Sequence, residues 1–202
     1  MRVLVLSLVI IALVLGGASV WLQGPLPLDV AISRALQTVI PARSAWIAWL
    51  SGTAGWPWII PSALVAAVFA ASLAGLRGAA AALAGMGLAM ATERALRLVI
   101  AVPRPSAEQV DIAQLSTSSG LPSTFAIFYG AACGSLMLLS RTARGAEAVA
   151  VRWGAALVLI AGCVGRVAAG GHWTSQVVAS AALGLLASVV MLRMFGQLTF
   201  RR

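Results

Sequence analysis

The sequence predicts an all-α integral membrane protein: one domain over residues 1–202, folded as a bundle of six transmembrane helices. Composition is the first reason. The chain is 61% hydrophobic and 9% charged, where a soluble domain is about 45–50% apolar and about 25% charged. That excludes an ordinary soluble globule, and it equally excludes a disordered chain, which needs high charge and little apolar surface. The second reason is arrangement, because the apolar residues fall in runs close to the ~20 residues that cross a bilayer. The third is charge. There are 14 basic and 5 acidic side chains, a net charge of +9, and every basic residue is arginine. These arginines stand scattered between apolar runs, so they read as topology signals and not as nucleic-acid contacts.

Each element follows in order. Behind Arg2, residues 3–22 are long enough to span, and Trp21 stands where an interfacial anchor belongs. A signal peptide cleaved near Gly17-Ala18-Ser19 is the competing reading, and the length favours a retained span. Pro25, Pro27 and Asp29 make a loop; residues 31–40 read as a short amphipathic helix that Pro41 ends. Trp46, Trp49, Trp56 and Trp58 crowd the next stretch as an aromatic belt at one membrane surface. The second span is 56–73, and a loop at 75–78 carries Arg77. The third span is 79–100. Its first half is almost all Ala, Gly, Leu and Met, and such small residues let helices approach closely in lipid. Residues 101–121 form a polar loop with Pro103, Pro105, Glu108, Asp111 and a Ser/Thr run. The remaining spans are 121–139, 151–164 and 174–194. Cys133 and Cys163 fall in apolar runs at different depths, which predicts two small buried hydrophobes and no disulfide.

With six spans, Arg2, Arg77, Arg141, Arg144, Arg152, Arg201 and Arg202 share one side. The positive-inside rule makes that side, with both termini, cytoplasmic. The opposite side should be poor in arginine, yet Arg94, Arg97, Arg104 and Arg166 lie on or near it. Ser123 opens the fourth span and His172 precedes the sixth, at that same face. Arginine forks match phosphate oxygens bidentately. Ser123, behind Pro122 at a helix N-terminus, adds free backbone N–H groups. Taken singly, each residue has a plain reading. Arg94 and Arg97 are snorkelling arginines, Glu93 and Arg97 an i,i+4 pair, Ser123 a helix cap and His172 an interfacial side chain. Together they make a membrane-embedded anion site, which implies a ligand with a lipid tail and a phosphate head.

The spacing resembles the type 2 phosphatidic acid phosphatase superfamily of membrane lipid phosphatases, whose signatures are K-x6-R-P, P-S-G-H and S-R-x5-H-x3-D. The first stands here as Arg97-x6-Arg104-Pro105, the second as Pro122-Ser123-Thr124-Phe125, the third as Gly165-Arg166-x5-His172-x3-Gln176. The resemblance covers residues 97–184 and, loosely, the six-span layout. It implies that His172 is the nucleophile that forms a phosphohistidine. It also implies that Arg97, Arg104, Ser123, Thr124 and Arg166 hold the phosphate and stabilise transition-state charge. The family's general-acid histidine and orienting aspartate are replaced by Phe125 and Gln176. Arg97 replaces Lys, Gly165 replaces Ser and Thr124 replaces Gly. The chain has one histidine, so no second imidazole can step in.

General acid catalysis is worth about 10²–10⁴-fold, and loss of an orienting carboxylate costs ~10⁴-fold in serine proteases. A lipid diphosphate tolerates these losses better than a monoester, because its leaving group is already a stable phosphate anion. Gln176 is expected to hold His172 by a side-chain hydrogen bond without supplying charge. Glu108 and Asp111 are candidate substitute acids, although solvated loop carboxylates are their plainer reading. Two functions follow. One is a lipid or polyprenyl diphosphate phosphatase, or a phosphotransferase, working through His172. The other is a degenerate member that binds lipid phosphate as a carrier, scaffold or regulator. The vanadate-dependent haloperoxidases that share this pocket are soluble and fit poorly. No cofactor and no metal is expected, since one histidine and five scattered carboxylates make no cluster. The expected partners are a lipid or polyprenyl phosphate and the membrane, with no nucleic acid; the sequence leaves the oligomeric state open. The expected place is the cell (inner) membrane, with the site facing the periplasm or exterior.

Overall fold

Backbone groups inside a bilayer must be satisfied within their own segment, so apolar runs of this length fold as helices. The computed structural model describes residues 1–198. It contains α1 (Arg2–Leu22), α2 (Asp29–Gln37), α3 (Ala45–Gly52), α4 (Ile59–Val99), α5 (Thr124–Leu139), α6 (Ala146–Ala168) and α7 (Thr174–Met194), with no strand among the described residues. Helices α1, α4, α6 and α7 are long and apolar enough to cross a membrane, and α5 is a shorter apolar helix. The chain is a multi-pass, all-helical membrane protein.

Helix α5 forms the centre and is buried along most of its length, packing on α4, α6 and α7. Glycines set its approach to α7. A Cβ on Gly130 would lie 2.6 Å from the Ala181 carbonyl oxygen, and one on Gly184 only 2.1 Å from that of Ile127. Gly134 in turn meets Ser188, so residue numbers rise together along the two helices. They are parallel, and their N-termini meet at one end of the bundle. That end holds Ser123 and His172.

Helix α4 is broken at Ala74 (φ −146°, ψ 19°) and Gly75 (φ 66°, ψ −169°). Ala66 packs with Met86 and Ala89 at the level of Ala131, while Ala70 packs with Ala81 and Ala82 at the level of Leu139. A straight helix would hold residues 66 and 86 about 30 Å apart. The two arms of α4 therefore run antiparallel, and the positive φ at Gly75 makes the reversal possible. The loop predicted at 75–78 contracts to this two-residue break.

Other boundaries moved for physical reasons. The short amphipathic helix begins at Asp29, not at 31, and ends at Gln37. Residues 45–52, read as an aromatic belt, form α3, which packs on α6. The fifth predicted span, 151–164, is the middle of the longer α6, whose first turns carry Glu147 and Arg152 and so interrupt the apolar run. Cys133 and Cys163 are free, as expected, but both border one apolar cluster. Helix α1 packs on α7 through Leu8, Ala12 and Ala182. Arg201 and Arg202 lie outside the described residues.

Candidate active site

The loop between α4 and α5 folds back over the paired N-termini of α5 and α7. Gly120 N–H donates to the Val102 carbonyl at 2.7 Å, and Val102 N–H donates to Ser119 Oγ at 3.1 Å. This zipped segment sets the Gly120 carbonyl 2.7 Å from His172 Nδ1. A carbonyl can only accept, so Nδ1 carries the proton and Nε2 keeps its lone pair. Nε2 accepts from Arg104 Nη1 at 3.1 Å. His172 is 1% exposed. Burial, and then the nearby Arg166 and Arg104, push its pKa well below 6.5, while the Gly120 carbonyl pulls the other way. At neutral pH the ring is neutral, with the Nε2 lone pair directed at Arg104.

Arg104 is fixed on three sides. Its Nε donates to the Ser118 carbonyl at 2.8 Å, Nη1 to the Gly171 carbonyl at 2.7 Å and Nη2 to Ser118 Oγ at 2.8 Å. Burial, with Arg166 and Arg97 nearby, lowers its pKa to about 10, so it remains a cation at neutral pH. Arg166, in the last turn of α6, packs under Gly171, where a Cβ would lie 2.9 Å from Nη2. Its Nε is buried without a hydrogen-bond partner among the described residues. Arg104 and Arg166 open onto one cleft of about 630 Å³, walled on one side by Ile47 and Ser51 of α3.

Arg97 and Thr124 are committed elsewhere. Arg97 Nε pairs with Glu93, and Nη2 donates to the Pro122 carbonyl at 2.7 Å and to Thr124 Oγ1 at 3.3 Å. Thr124 Oγ1 donates to the same Glu93 oxygen at 2.8 Å. This trio braces the loop at the start of α5. Ser123 N–H donates to Ser180 Oγ at 2.8 Å, while Ser123 Oγ is buried with no partner among the described residues. Arg94 is exposed on the outside of α4.

Residues 78–200 match the sequence profile of the PAP2 superfamily. The chain belongs to that family. A crystal structure described as the first transmembrane PAP2 type phosphatidylglycerolphosphate phosphatase from Bacillus subtilis is similar over 98% of each chain, with a TM-score of 0.72 and 17% sequence identity. At that identity the likeness is one of fold. No curated protein sequence matches.

Gln176 and Phe125, which stand where the resemblance expects an aspartate and a histidine, are both buried in packing contacts. Gln176 does not reach His172 as expected: its Nε2 donates to the Pro103 carbonyl at 2.9 Å and its Oε1 accepts from Trp173 N–H at 3.2 Å. It packs behind Gly120, where a Cβ would lie 2.7 Å from Nε2 and 2.8 Å from Oε1. The partner of His172 Nδ1 is thus the Gly120 main-chain carbonyl, and Gln176 packs against Gly120. Phe125 is buried, stacks on Tyr129 with ring centroids 4.5 Å apart, and fills the space above Gly162. Glu108 and Asp111 are exposed beside α2, where Gln37 Nε2 donates to the Asp111 carbonyl at 2.8 Å, and neither lines the cleft of Arg104 and Arg166. Among the described residues no cluster of three or more His, Cys, Asp or Glu could hold a metal ion.

One residue the sequence reading placed in a loop supports the site. Asp29, 3% exposed, accepts from Ser175 N–H at 2.9 Å, Ser175 Oγ at 2.6 Å and Leu26 N–H at 2.8 Å. It clamps the start of α2 to the first turn of α7, three residues beyond His172. A carboxylate at a helix N-terminus is favoured electrostatically, but nothing in the sequence pairs positions 29 and 175.

Proposed function

We propose that this PAP2-family protein removes the terminal phosphate of a lipid or polyprenyl diphosphate, with His172 Nε2 as the nucleophile. The supporting observation is the Gly120 carbonyl, which holds the proton on Nδ1 and leaves the lone pair of Nε2 facing Arg104. In this reading a terminal phosphate displaces Arg104 Nη1 from its hydrogen bond to Nε2, and Arg104 and Arg166 take its oxygens. Ser123 Oγ, unpartnered among the described residues at the start of α5, is a further donor, while Arg97 and Thr124 act through Glu93 to hold the loop. Nε2 forms a bond to the terminal phosphorus and the bridging P–O bond breaks. Its electrons leave with the lipid monophosphate, and Nδ1 keeps its proton throughout. Water then cleaves the N–P bond, giving inorganic phosphate and neutral His172.

The protein acts as a single domain of six crossings, counting the arms of α4 separately, in the cell (inner) membrane. Both termini face the cytoplasm and the site faces outward. The arginine distribution supports that orientation. The alternative is a catalytically inactive PAP2 member that carries, scaffolds or regulates lipid phosphate. The observation favouring it is Phe125, an apolar ring packed where the family places its general acid.

Phosphate release from purified protein in detergent separates the two. A polyprenyl diphosphate and phosphatidic acid are offered, each beside a His172→Ala control. Release from the diphosphate, abolished in the control, supports the phosphatase. No release from either, with lipid-phosphate binding that weakens in Arg104→Ala and Arg166→Ala, supports the binder.

A further inference from the structure

Arg43 belongs to no family signature and lies on the connection between α2 and α3, yet it lines the same cleft as Arg104 and Arg166. Its side chain is exposed, and among the described residues no hydrogen bond or ion pair engages it. The other polar side chains of the cleft come from Ser44, Ser51, Gln114 and Ser116; none of the residues lining it carries a carboxylate. Three guanidinium groups thus face one space of about 630 Å³ with no fixed anion to balance them. A phosphate monoester brings about two negative charges at neutral pH, and a diphosphate about three. Both the charge and the volume of the cleft exceed what a single phosphate uses.

We propose that Arg43 is the specificity-determining residue of this cleft. It binds the proximal phosphate of a lipid diphosphate while Arg104 and Arg166 hold the terminal phosphate at His172. The proposal rests on the diphosphate chemistry set out for His172. As Nε2 bonds to the terminal phosphorus and the bridging P–O bond breaks, the proximal phosphate goes from about one negative charge to about two. A guanidinium beside it stabilises that gain in charge. No proton is transferred, so the step proceeds with Phe125 in the general-acid position. An alkoxide leaving group would still need a proton, which a guanidinium does not supply. Arg43 therefore favours diphosphates selectively. The rival arrangement has Arg43 turned toward Asp111, with which it shares a neighbouring pocket.

The test is binding of farnesyl diphosphate and farnesyl monophosphate, which share one tail, to His172→Ala protein in detergent. The proposal predicts about tenfold tighter binding of the diphosphate, as expected for an added charge-assisted contact. Arg43→Gln collapses that ratio toward unity, and Arg43→Lys retains part of it. A ratio unchanged by Arg43→Gln, or affinities for both ligands falling together, overturns the proposal. Turnover with His172 intact gives the second arm, in which Arg43→Gln lowers kcat/KM for the diphosphate by about 10–100-fold, within the range that transition-state arginines supply to phosphoryl transfer. Discriminating binding without turnover upholds Arg43 while refuting the phosphatase reading. Turnover without discrimination refutes Arg43 and leaves the phosphatase standing.

Discussion

Replacing Gly120 by alanine disables His172 without touching its side chain. The new Cβ falls 2.7 Å from Gln176 Nε2, 2.8 Å from its Oε1 and 2.8 Å from the Pro103 carbonyl oxygen. Gln176 cannot swing aside freely, because its amide is held by Trp173 N–H at one end and the Pro103 carbonyl at the other. Residue 120 must therefore retreat, by roughly 0.7 Å to reach ordinary contact. Its carbonyl, 2.7 Å from Nδ1, moves with it. Overpacking of this kind costs about 1–3 kcal/mol of stability. The catalytic cost is larger. A misplacement of ~1 Å costs about 10²-fold in rate, and loss of the correct tautomer costs ~10⁴-fold in the serine-protease case. We expect kcat for polyprenyl diphosphate to fall between those bounds, with KM changed far less because Arg104 and Arg166 remain. The assay is phosphate release from folded, monodisperse Gly120→Ala protein. Adding Gln176→Ala removes two of the three short contacts and recovers part of the loss. Activity of Gly120→Ala within twofold of the parent would refute the carbonyl as the orienting group.

Gly162→Ala drives a Cβ to 2.0 Å from the Phe125 ring; thermal unfolding in detergent should show a loss of about 1–3 kcal/mol, relieved by Phe125→Leu in the same chain. Asp29→Asn keeps the shape of the clamp but weakens its charge-assisted bonds to Ser175. It should cost about 1–3 kcal/mol and lower turnover, read by unfolding and phosphate release together. His172 gives the pH dependence. Its folded pKa lies well below 6.5 through burial, Arg166 and Arg104, so the unfolded chain takes up a proton first as pH falls. Its contribution is neutral above that range and destabilising below about pH 6.5. Unfolding midpoints should drop on acidification more in the parent than in His172→Gln, while turnover stays flat from about pH 8 to about pH 6.5.

The multi-pass, all-helical character was legible because apolar runs of bilayer length leave few alternatives. What the periodicity could not show was α3. Trp46 and Trp49 read equally well as a membrane-surface belt, and only packing on α6 distinguishes a helix there. The true start of α6 was hidden by Glu147, which a helix accommodates in its first turn. In the site, the spacings led to Arg104, Arg166 and His172, and the structure gathers those three. Arg97 and Thr124 carry the right chemistry, but Glu93 and the loop carbonyls take up their bonds. Gly120 escaped because what it offers His172 is a main-chain carbonyl, which every residue type has. Asp29 escaped because its partner stands 146 positions away, and Arg43 because it lies outside every motif and reaches the cleft only through the fold.

The covalent intermediate tests the central claim most directly. Purified protein is mixed with polyprenyl diphosphate labelled at the terminal phosphate, quenched in alkali, and the label located by peptide mapping. The account predicts an acid-labile, alkali-stable phosphoryl group on His172, absent from His172→Ala and accumulating less in Gly120→Ala. Steady phosphate release with no label on His172, or release that survives His172→Ala, would contradict it.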